Sequence, residues 1–282
     1  MGTLYIVATP IGNLGDITLR AIEILKEVDL ILAEDTRQSI KLLNHYNIKK
    51  SMSSYHKFNE NNKSEDIINM LQNDKNIALI SDAGTPCISD PGYVLVKKAL
   101  EKNIKVIGIP GACALSTAIS ISGMDSNNFL FMGFLNKNKI KDEIEKLKEN
   151  EINTVIFYES PKRIVNIVKK LLKEFPESNI SICSDITKKF ERTIFGKTKD
   201  VYEKIIKDEK IEKGEYTVVF EKNYIKKIDI ENERTLESQI VDIMIKNKIT
   251  LKEAINYLND NNKNISKKQI YEASLNLKKF LK

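Results

Sequence analysis

The 282-residue sequence predicts an α/β protein, with two α/β domains followed by a small C-terminal module of three helices. Short apolar, β-branched runs alternate with amphipathic stretches over most of the chain, a pattern typical of buried strands joined by helices. Near the end the strand pattern stops and helix-capping signals replace it. With 41% hydrophobic and 30% charged residues, the composition excludes a disordered, collagen-like or disulfide-rich protein.

Seven apolar runs predict the strands of the two domains. They cover residues 4–9, 77–82, 104–109, 129–134, 154–158, 180–185 and 216–221. Between the first two, Ile17, Ala21, Leu25 and Val28 recur at helical spacing and predict a helix with one buried face. The polar stretch that begins at Gly123 interrupts the periodicity. We therefore place the domains at 1–122 and 123–222.

Residues 235–282 are predicted to form the helical module. Leu236, Ile240 and Met244 lie on one helical stripe, and two capping boxes, Thr250 with Glu253 and Ser266 with Gln269, each open a further helix.

The last two predicted helices are joined by turn-forming residues, and this arrangement resembles a helix-turn-helix that presents Lys267 and Lys268 to nucleic acid. The turn residues are Asp260, Asn261, Asn262 and Asn264. A packing or dimerisation appendage is the alternative.

The net charge of +6 is concentrated at the C-terminal end of the chain. From Lys222 to Lys282 there are thirteen Lys and Arg residues against eight Asp and Glu residues, a net charge of +5. Such a basic tail fits phosphate binding and fits a solvated lysine-rich face equally well.

Several classes of protein are excluded by the sequence. No apolar run reaches the length of a membrane span and no secretory leader is evident, which predicts a cytoplasmic protein. Cys87, Cys113 and Cys183 form neither a disulfide framework nor a CxxC pair, and His45 and His56 lack metal-ligand spacing. We expect no metal and no membrane partner.

Three predicted strands end in loops rich in Gly, Pro and Asp, at residues 10–16, 81–86 and 110–114. Because ligands bind beyond the carboxyl ends of strands in open α/β sheets, these loops predict one binding cleft. Nucleotide fingerprints are absent, since no GxGxxG occurs and Glu191 replaces the first glycine of a P-loop before Gly196. Asp90, Pro91 and Gly92 are interpreted as a helix start, with Asp90 as N-cap.

Four motifs in order, at residues 7–18, 33–37, 81–86 and 157–161, resemble the tetrapyrrole methylase superfamily. Within it they resemble the bacterial 16S rRNA (cytidine-2'-O)-methyltransferase I branch, and the similarity extends over nearly the whole chain. Relatives that modify tetrapyrroles carry a Gly-x-Gly-x-Gly-Asp first loop. Here Thr9 to Asn13 precede Gly15 and Asp16 instead, which favours the RNA branch.

The resemblance implies a class III S-adenosylmethionine (SAM) methyltransferase-like fold, with SAM between the two domains. It also implies a homodimer that methylates the ribose 2'-hydroxyl of a cytidine in the decoding centre of 16S rRNA, within the small ribosomal subunit. The implied SAM contacts are Pro10, Asp82, Ala83, Gly84, Thr85, Ala112, Cys113, Ala114, Phe157, Tyr158, Glu215, Tyr216 and Thr217.

Methyl transfer to a hydroxyl needs positioning and a general base. The candidates for the base are Asp35, Glu159 and Lys188, for which the alternatives are a helix N-cap, a structural or SAM-side hydrogen bond, and phosphate binding. The expected RNA contacts are Arg37, Lys162, Arg163, Lys188 and Arg192, with Lys267 and Lys268 of the tail. A tetrapyrrole C-methyltransferase and a noncatalytic RNA-binding protein are the alternative functions.

Overall fold

The computed structural model describes residues 1–223, 235–261 and 265–280, which belong to two units, Met1–Tyr224 and Ile225–Lys282. The first unit contains two five-stranded sheets and the second contains the C-terminal helices. This architecture confirms the predicted α/β fold class. The domain boundary near Gly123 stays a prediction.

The first sheet is entirely parallel, with strand order β3-β2-β4-β1-β5. Its strands are β1 (Thr3–Val7), β2 (Leu30–Ala33), β3 (Met52–Ser54), β4 (Ile77–Ile80) and β5 (Lys105–Ile109). The helices are α1 (Leu19–Glu27), α2 (Thr36–His45), α3 (Glu60–Gln72), α4 (Tyr93–Glu101) and α5 (Ala114–Ile121), with a 3₁₀ turn at Leu14–Asp16. Alternate strand residues enter different cores, Leu79 on one face and Ala78 and Ile80 on the other. Burial on both faces explains why these strands are continuously apolar.

The second sheet is mixed, with order β6-β7-β10-β8-β9, and only β6 and β7 run parallel. Its strands are β6 (Phe129–Phe134), β7 (Thr154–Glu159), β8 (Asn179–Ser184), β9 (Arg192–Lys197) and β10 (Tyr216–Glu221). Helices α6 (Ile140–Glu149), α7 (Ile164–Glu174) and α8 (Thr198–Ile205) contribute to the core on one face. On the other face Ala118 and Ile119 of α5 form a core with Ile156 and Val219. Helix α5 therefore connects the two sheets through apolar packing.

The second unit contains α9 (Leu236–Asn247), α10 (Leu251–Asn261) and α11 (Lys267–Phe280). Ile240, Leu258 and Ile270, one from each helix, are buried in its core. Three helices share a core because none can bury its apolar face alone.

Both predicted capping boxes are confirmed. The Thr250 N–H donates to Glu253 Oε2 at 2.7 Å and the Ser266 N–H donates to Gln269 Oε1 at 3.0 Å.

The predicted turn between the last two helices is wrong in part. Asp260 and Asn261 belong to the last turn of α10, which continues two residues further than the turn-forming composition suggested. Asn262 and Asn264 lie outside the described residues. Lys267 and Lys268 occupy the first turn of α11 and are exposed.

The seven predicted strands are all present, most with ends shifted by one or two residues. Three strands were missed: β2 is a four-residue run directly after a helix, β3 is a three-residue strand, and β9 is a mostly exposed edge strand with a basic residue at each end. In the part of the chain that the structure describes, no helix combines the length and apolarity that crossing a membrane requires.

The buried side chain of Lys222 caps the C-terminal end of α6. The residue is only 2% exposed, and its Nζ donates to the carbonyls of Leu147, at 2.7 Å, and Asn150. Burial lowers the pKa of this ammonium group. The two carbonyls belong to a helix end that would otherwise lack donors.

We expect Lys222→Met to lower the free energy of unfolding of the Met1–Tyr224 unit by about 1 to 3 kcal/mol, because it leaves buried carbonyls unsatisfied. Urea denaturation at neutral pH measures the change. Lys169→Met, at an exposed position of α7, is the matched control and should shift stability by less than about 0.5 kcal/mol. Equal effects of the two variants would contradict the capping role.

Candidate functional site

A cavity of about 410 Å³ opens where the strand ends of the two sheets face each other within the first unit. The first sheet contributes the loop after β4 and the start of α5, and the second contributes the ends of β6 and β7 and the start of β10. The end of β7 and the start of β10 lie side by side because β10 runs antiparallel to β7, with Tyr216 paired to Glu159. The lining residues are Ile11, Asp82, Ala83, Gly84, Thr85, Ile88, Ser89, Asp90, Cys113, Ala114, Phe134, Tyr158, Glu159, Ser160, Pro161, Gly214, Glu215, Tyr216 and Thr217.

The three Gly- and Pro-rich loops meet as the sequence predicted, because β1 lies between β4 and β5 in a parallel arrangement. Hydrogen bonds join the loops directly. The Thr9 N–H donates to the Gly84 carbonyl at 2.8 Å, the Gly84 N–H returns a bond to Thr9 at 3.0 Å, and the Thr85 hydroxyl donates to the Ala112 carbonyl at 3.2 Å. Gly84 has a φ of +82°, which favours glycine at this bridge.

Ten of the predicted cofactor contacts line the cavity and three do not. Pro10 is buried, Phe157 is 1% exposed in the core behind the second sheet, and Ala112 takes part through the carbonyl that Thr85 binds. Contact of these residues with a ligand stays a prediction.

Small residues make the cavity accessible to a ligand as large as SAM. Ala83, Gly84, Ala114 and Gly214 place little more than backbone at its wall. Pockets that bind ligands of this size have volumes of roughly 300 to 1,000 Å³. The observed cavity fits within that range.

Glu159 is a buried carboxylate at the end of β7. Its Oε1 accepts from the Ser160 N–H at 2.7 Å, and its Oε2 pairs with the Arg163 guanidinium at 3.0 Å. Burial raises the pKa of Glu159, against the opposing effects of Ser160 and Arg163. Oε1 is therefore hydrogen-bonded, whereas Oε2 is buried beside the Arg163 guanidinium and accepts no hydrogen bond.

Lys188 is held by two carboxylates, Glu215 at 2.9 Å and Asp185 at 3.1 Å. Burial lowers its pKa, but the hydrogen bonds to Glu215 and Asp185 outweigh that effect and the net pKa is raised. Its side chain packs over Gly12, where a Cβ would lie 2.5 Å from Lys188 Cγ. A protonated ammonium in this position suits charge stabilisation better than proton abstraction.

Asp35 is the N-cap of α2 and is outside the cavity lining. Its Oδ1 accepts from the Arg37 N–H at 2.9 Å and its Oδ2 pairs with the Arg37 guanidinium at 2.6 Å. Hydrogen bonds from Arg37 lower the pKa of Asp35 to about 2. So acidic a carboxyl is a weak base at neutral pH.

Asp90 lies in the cavity wall, and the interpretation of this residue as an N-cap is wrong. Helix α4 begins at Tyr93 with Gly92 as its N-cap at a φ of +136°, so Asp90 precedes the helix by two positions more than predicted. Burial, followed by repulsion from Glu34, raises the pKa of Asp90 to about 6. Its carboxyl therefore changes charge close to neutral pH.

The predicted RNA-binding residues differ in how available their charges are. Arg37 is 88% exposed although paired with Asp35, and Lys162 is exposed. Arg163 is committed to Glu159 and to the Leu135 carbonyl at 2.9 Å, and Arg192 pairs with Asp208 at 2.5 Å.

Sequence reasoning missed part of the cavity wall. The missed residues are Ile11, Ile88, Ser89, Asp90, Phe134, Ser160, Pro161 and Gly214. Several of these residues lie in the family-like motifs or shortly after them, and this proximity is the sequence signal that could have identified them. Among the described residues, no group of three or more His, Cys, Asp and Glu side chains could hold a metal ion.

Asp90 should make the stability of the unliganded protein depend on pH. Its pKa in the folded state, about 6, exceeds the ordinary value, so the folded state binds more protons between about pH 4 and 6 and ionisation costs stability as pH rises. Asp90→Asn should therefore gain about 1 to 2 kcal/mol over the original chain between about pH 4 and 7, measured by urea denaturation.

The control for this measurement is Asp66→Asn, on an exposed position of α3. Its stability should differ from that of the original chain by less than about 0.5 kcal/mol, as expected for an exposed substitution. A pH-independent difference for Asp90→Asn would show that Asp90 ionises normally.

Known proteins similar to this chain were found by sequence and by structure. The family "Tetrapyrrole (Corrin/Porphyrin) Methylases" matches residues 3–202. A Buchnera aphidicola protein named "Ribosomal RNA small subunit methyltransferase I" is 46% identical over 78% of each chain. A Bacillus subtilis protein of the same name is 40% identical over 97% of this chain and 94% of its own.

A solved structure supports the same fold. It is a uroporphyrin-III C-methyl transferase from Thermus thermophilus complexed with S-adenosylhomocysteine, 16% identical, with a TM-score of 0.53 over 77% of this chain and 97% of that one. The sequence matches confirm the resemblance. The chain therefore belongs to the tetrapyrrole methylase family and, within it, to the ribosomal RNA small subunit methyltransferase I family of SAM-dependent methyltransferases.

Proposed function

We propose that this chain methylates the ribose 2'-hydroxyl of a cytidine in the decoding centre of 16S rRNA, with SAM bound in the cavity between the sheets. The observation that carries the proposal is this cavity, whose wall contains ten of the residues that the family resemblance implies for SAM. The names of the relatives support ribosomal RNA as the substrate class.

The cavity is suited to a cationic donor. Four carboxylates, from Asp82, Asp90, Glu159 and Glu215, belong to its wall, and the sulfonium of SAM carries a positive charge. When bound, SAM supplies a methyl group that is already activated for transfer. The protein then has to orient the acceptor oxygen, exclude water and accept one proton.

Exposed groups around the first unit would meet the RNA. Phe134, at the end of β6, lines the cavity yet is 64% exposed, and its ring lies 5.4 Å from that of Tyr158. Aromatic faces of this kind stack on unpaired bases. Arg37 and Lys162 add positive charge for phosphate. The proposal also includes that the protein is a homodimer and that it acts on the small ribosomal subunit in the cytoplasm.

The proposal is tested by incubating the protein with unmodified small subunits and SAM carrying a labelled methyl group, followed by nuclease mapping. Label should appear on one cytidine ribose. Ala83→Leu, which fills the cavity, should weaken SAM binding about tenfold or more in calorimetry, whereas the control Lys169→Met should bind normally. Label in a porphyrinogen instead of rRNA, or no binding of SAM, would overturn the proposal.

We further expect the first turn of α11 to bind RNA. Lys267→Ala combined with Lys268→Ala should weaken small-subunit binding about tenfold at about 0.1 M salt and reduce its salt dependence, because two phosphate contacts disappear. Filter binding over a salt series measures both effects, and SAM affinity should remain within about twofold.

The charge-matched control is Lys278→Ala combined with Lys279→Ala, in the last turn of the same helix. A helix-turn-helix reads nucleic acid with the start of its second helix, so this control should have the smaller effect. Equal losses would indicate only nonspecific attraction by the basic tail.

A further inference from the structure

Four carboxylates belong to the cavity wall, and they differ in what already binds them. Glu159 is paired with Arg163 and the Ser160 N–H, and Glu215 is paired with Lys188. Asp82 accepts the Asp35 N–H through Oδ1 at 3.0 Å. Asp82 and Glu215 therefore connect neighbouring loops, and Glu159 is bound within its own segment.

Asp90 is different, because it has no ion-pair partner among the residues that the structure describes. The nearby Ser81 side chain lowers the pKa of Asp90, against the larger effect of burial, but the Ser81 hydroxyl donates to the carbonyls of Ala83 and Gly84. A carboxylate that lines a cavity and has no cation beside it keeps its basicity, so it can accept a proton from a ligand bound there. Of the four, Asp90 is the group best able to take a proton.

The backbone around Asp90 is held in an uncommon conformation. Cys87 and Ser89 have φ values of +69° and +67°, although neither is a glycine, and Gly92 has +136°. Left-handed conformations at such residues are strained and cluster at functional sites. A Cβ on Gly133 would lie 2.9 Å from Ser89 Oγ, so the loop presses against the end of β6. Asp90 is thereby positioned at the junction of both sheets.

We propose that Asp90 is the general base of the methyl transfer, an inference that rests on the proposed function. The Asp90 carboxylate accepts the proton of the 2'-hydroxyl while the oxygen forms a bond to the methyl carbon. The carbon–sulfur bond breaks, its electron pair remains on sulfur, and S-adenosylhomocysteine is released. The proton then leaves Asp90 for solvent, so the site is restored.

Burial raises the pKa of Asp90 most, and the charged and titratable groups around it add to or oppose that effect, so all of them bear on a pH profile. Those that interact with it directly are Glu34, at the end of β2, Asp82, at the end of β4, Cys87 in its own loop, and Tyr158 on β7. His56 acts on the cluster through Glu34. Since Glu34 and Asp82 are acidic, they favour the protonated form of Asp90 and make it a stronger base.

The test compares Asp90→Asn, Asp90→Glu and the control Asp66→Asn in single-turnover methylation of unmodified small subunits, with SAM saturating, from about pH 5 to 9. The original chain and the control should show a rate that rises tenfold per pH unit and then levels. Asp90→Asn should lower the plateau rate at least about 100-fold and abolish the rise, and Asp90→Glu should restore part of the rate and the rise.

SAM affinity is measured by calorimetry on the same variants, and Asp90→Asn should weaken SAM binding by less than about tenfold, because the other three carboxylates of the cavity wall remain. A rate within threefold of the original, an unchanged acidic limb, or a tenfold loss of SAM affinity would overturn the role of Asp90 as the base. If the original chain itself did not methylate small subunits, that result would contradict the proposed function and not only the role of Asp90.

Discussion

The placement of β1 between β4 and β5 is the constraint on which the rest of the site depends. Three parallel neighbours have their carboxyl ends at one edge of the sheet, so the loops that follow them must meet. The reciprocal hydrogen bonds between Thr9 and Gly84 hold two of these loops together. Helix α5, which follows the third, packs its apolar side on the second sheet and brings that sheet's strand ends across the opening.

The electrostatics of the cavity follow from that geometry. Bringing loops from two sheets together concentrates carboxylates in a partly buried space, where each ionised group raises the cost of ionising the next. Arg163 and Lys188 compensate two of them. Asp90 is left without such compensation, and its burial together with the neighbouring Glu34 raises its pKa to about 6. The same arrangement suits a cationic donor.

For the candidate general bases, the place of a residue in a sequence motif and its surroundings in the structure indicate different roles. Asp35 and Glu159 stand in family-like motifs and Lys188 follows the end of β8, yet each is bound by a partner that reduces its basicity or its freedom. Asp90 stands in a segment that looked like an ordinary helix start. Its position depends on Gly92, whose positive φ delays the helix and leaves Asp90 in the loop.

The sequence by itself determined the fold class, seven of the apolar strands, the capped helices of the tail, and the loops that form the cavity, because burial and capping are local patterns of residue type. It did not show β2, β3 and β9, which are short or lie at sheet edges and derive their stability from neighbouring strands. Only the tertiary structure decided that β10 returns antiparallel beside β7, bringing Glu215 and Tyr216 to the cavity, and which carboxylates find a cation. Ion pairing and desolvation depend on distances between residues far apart in sequence, and no local pattern encodes those distances.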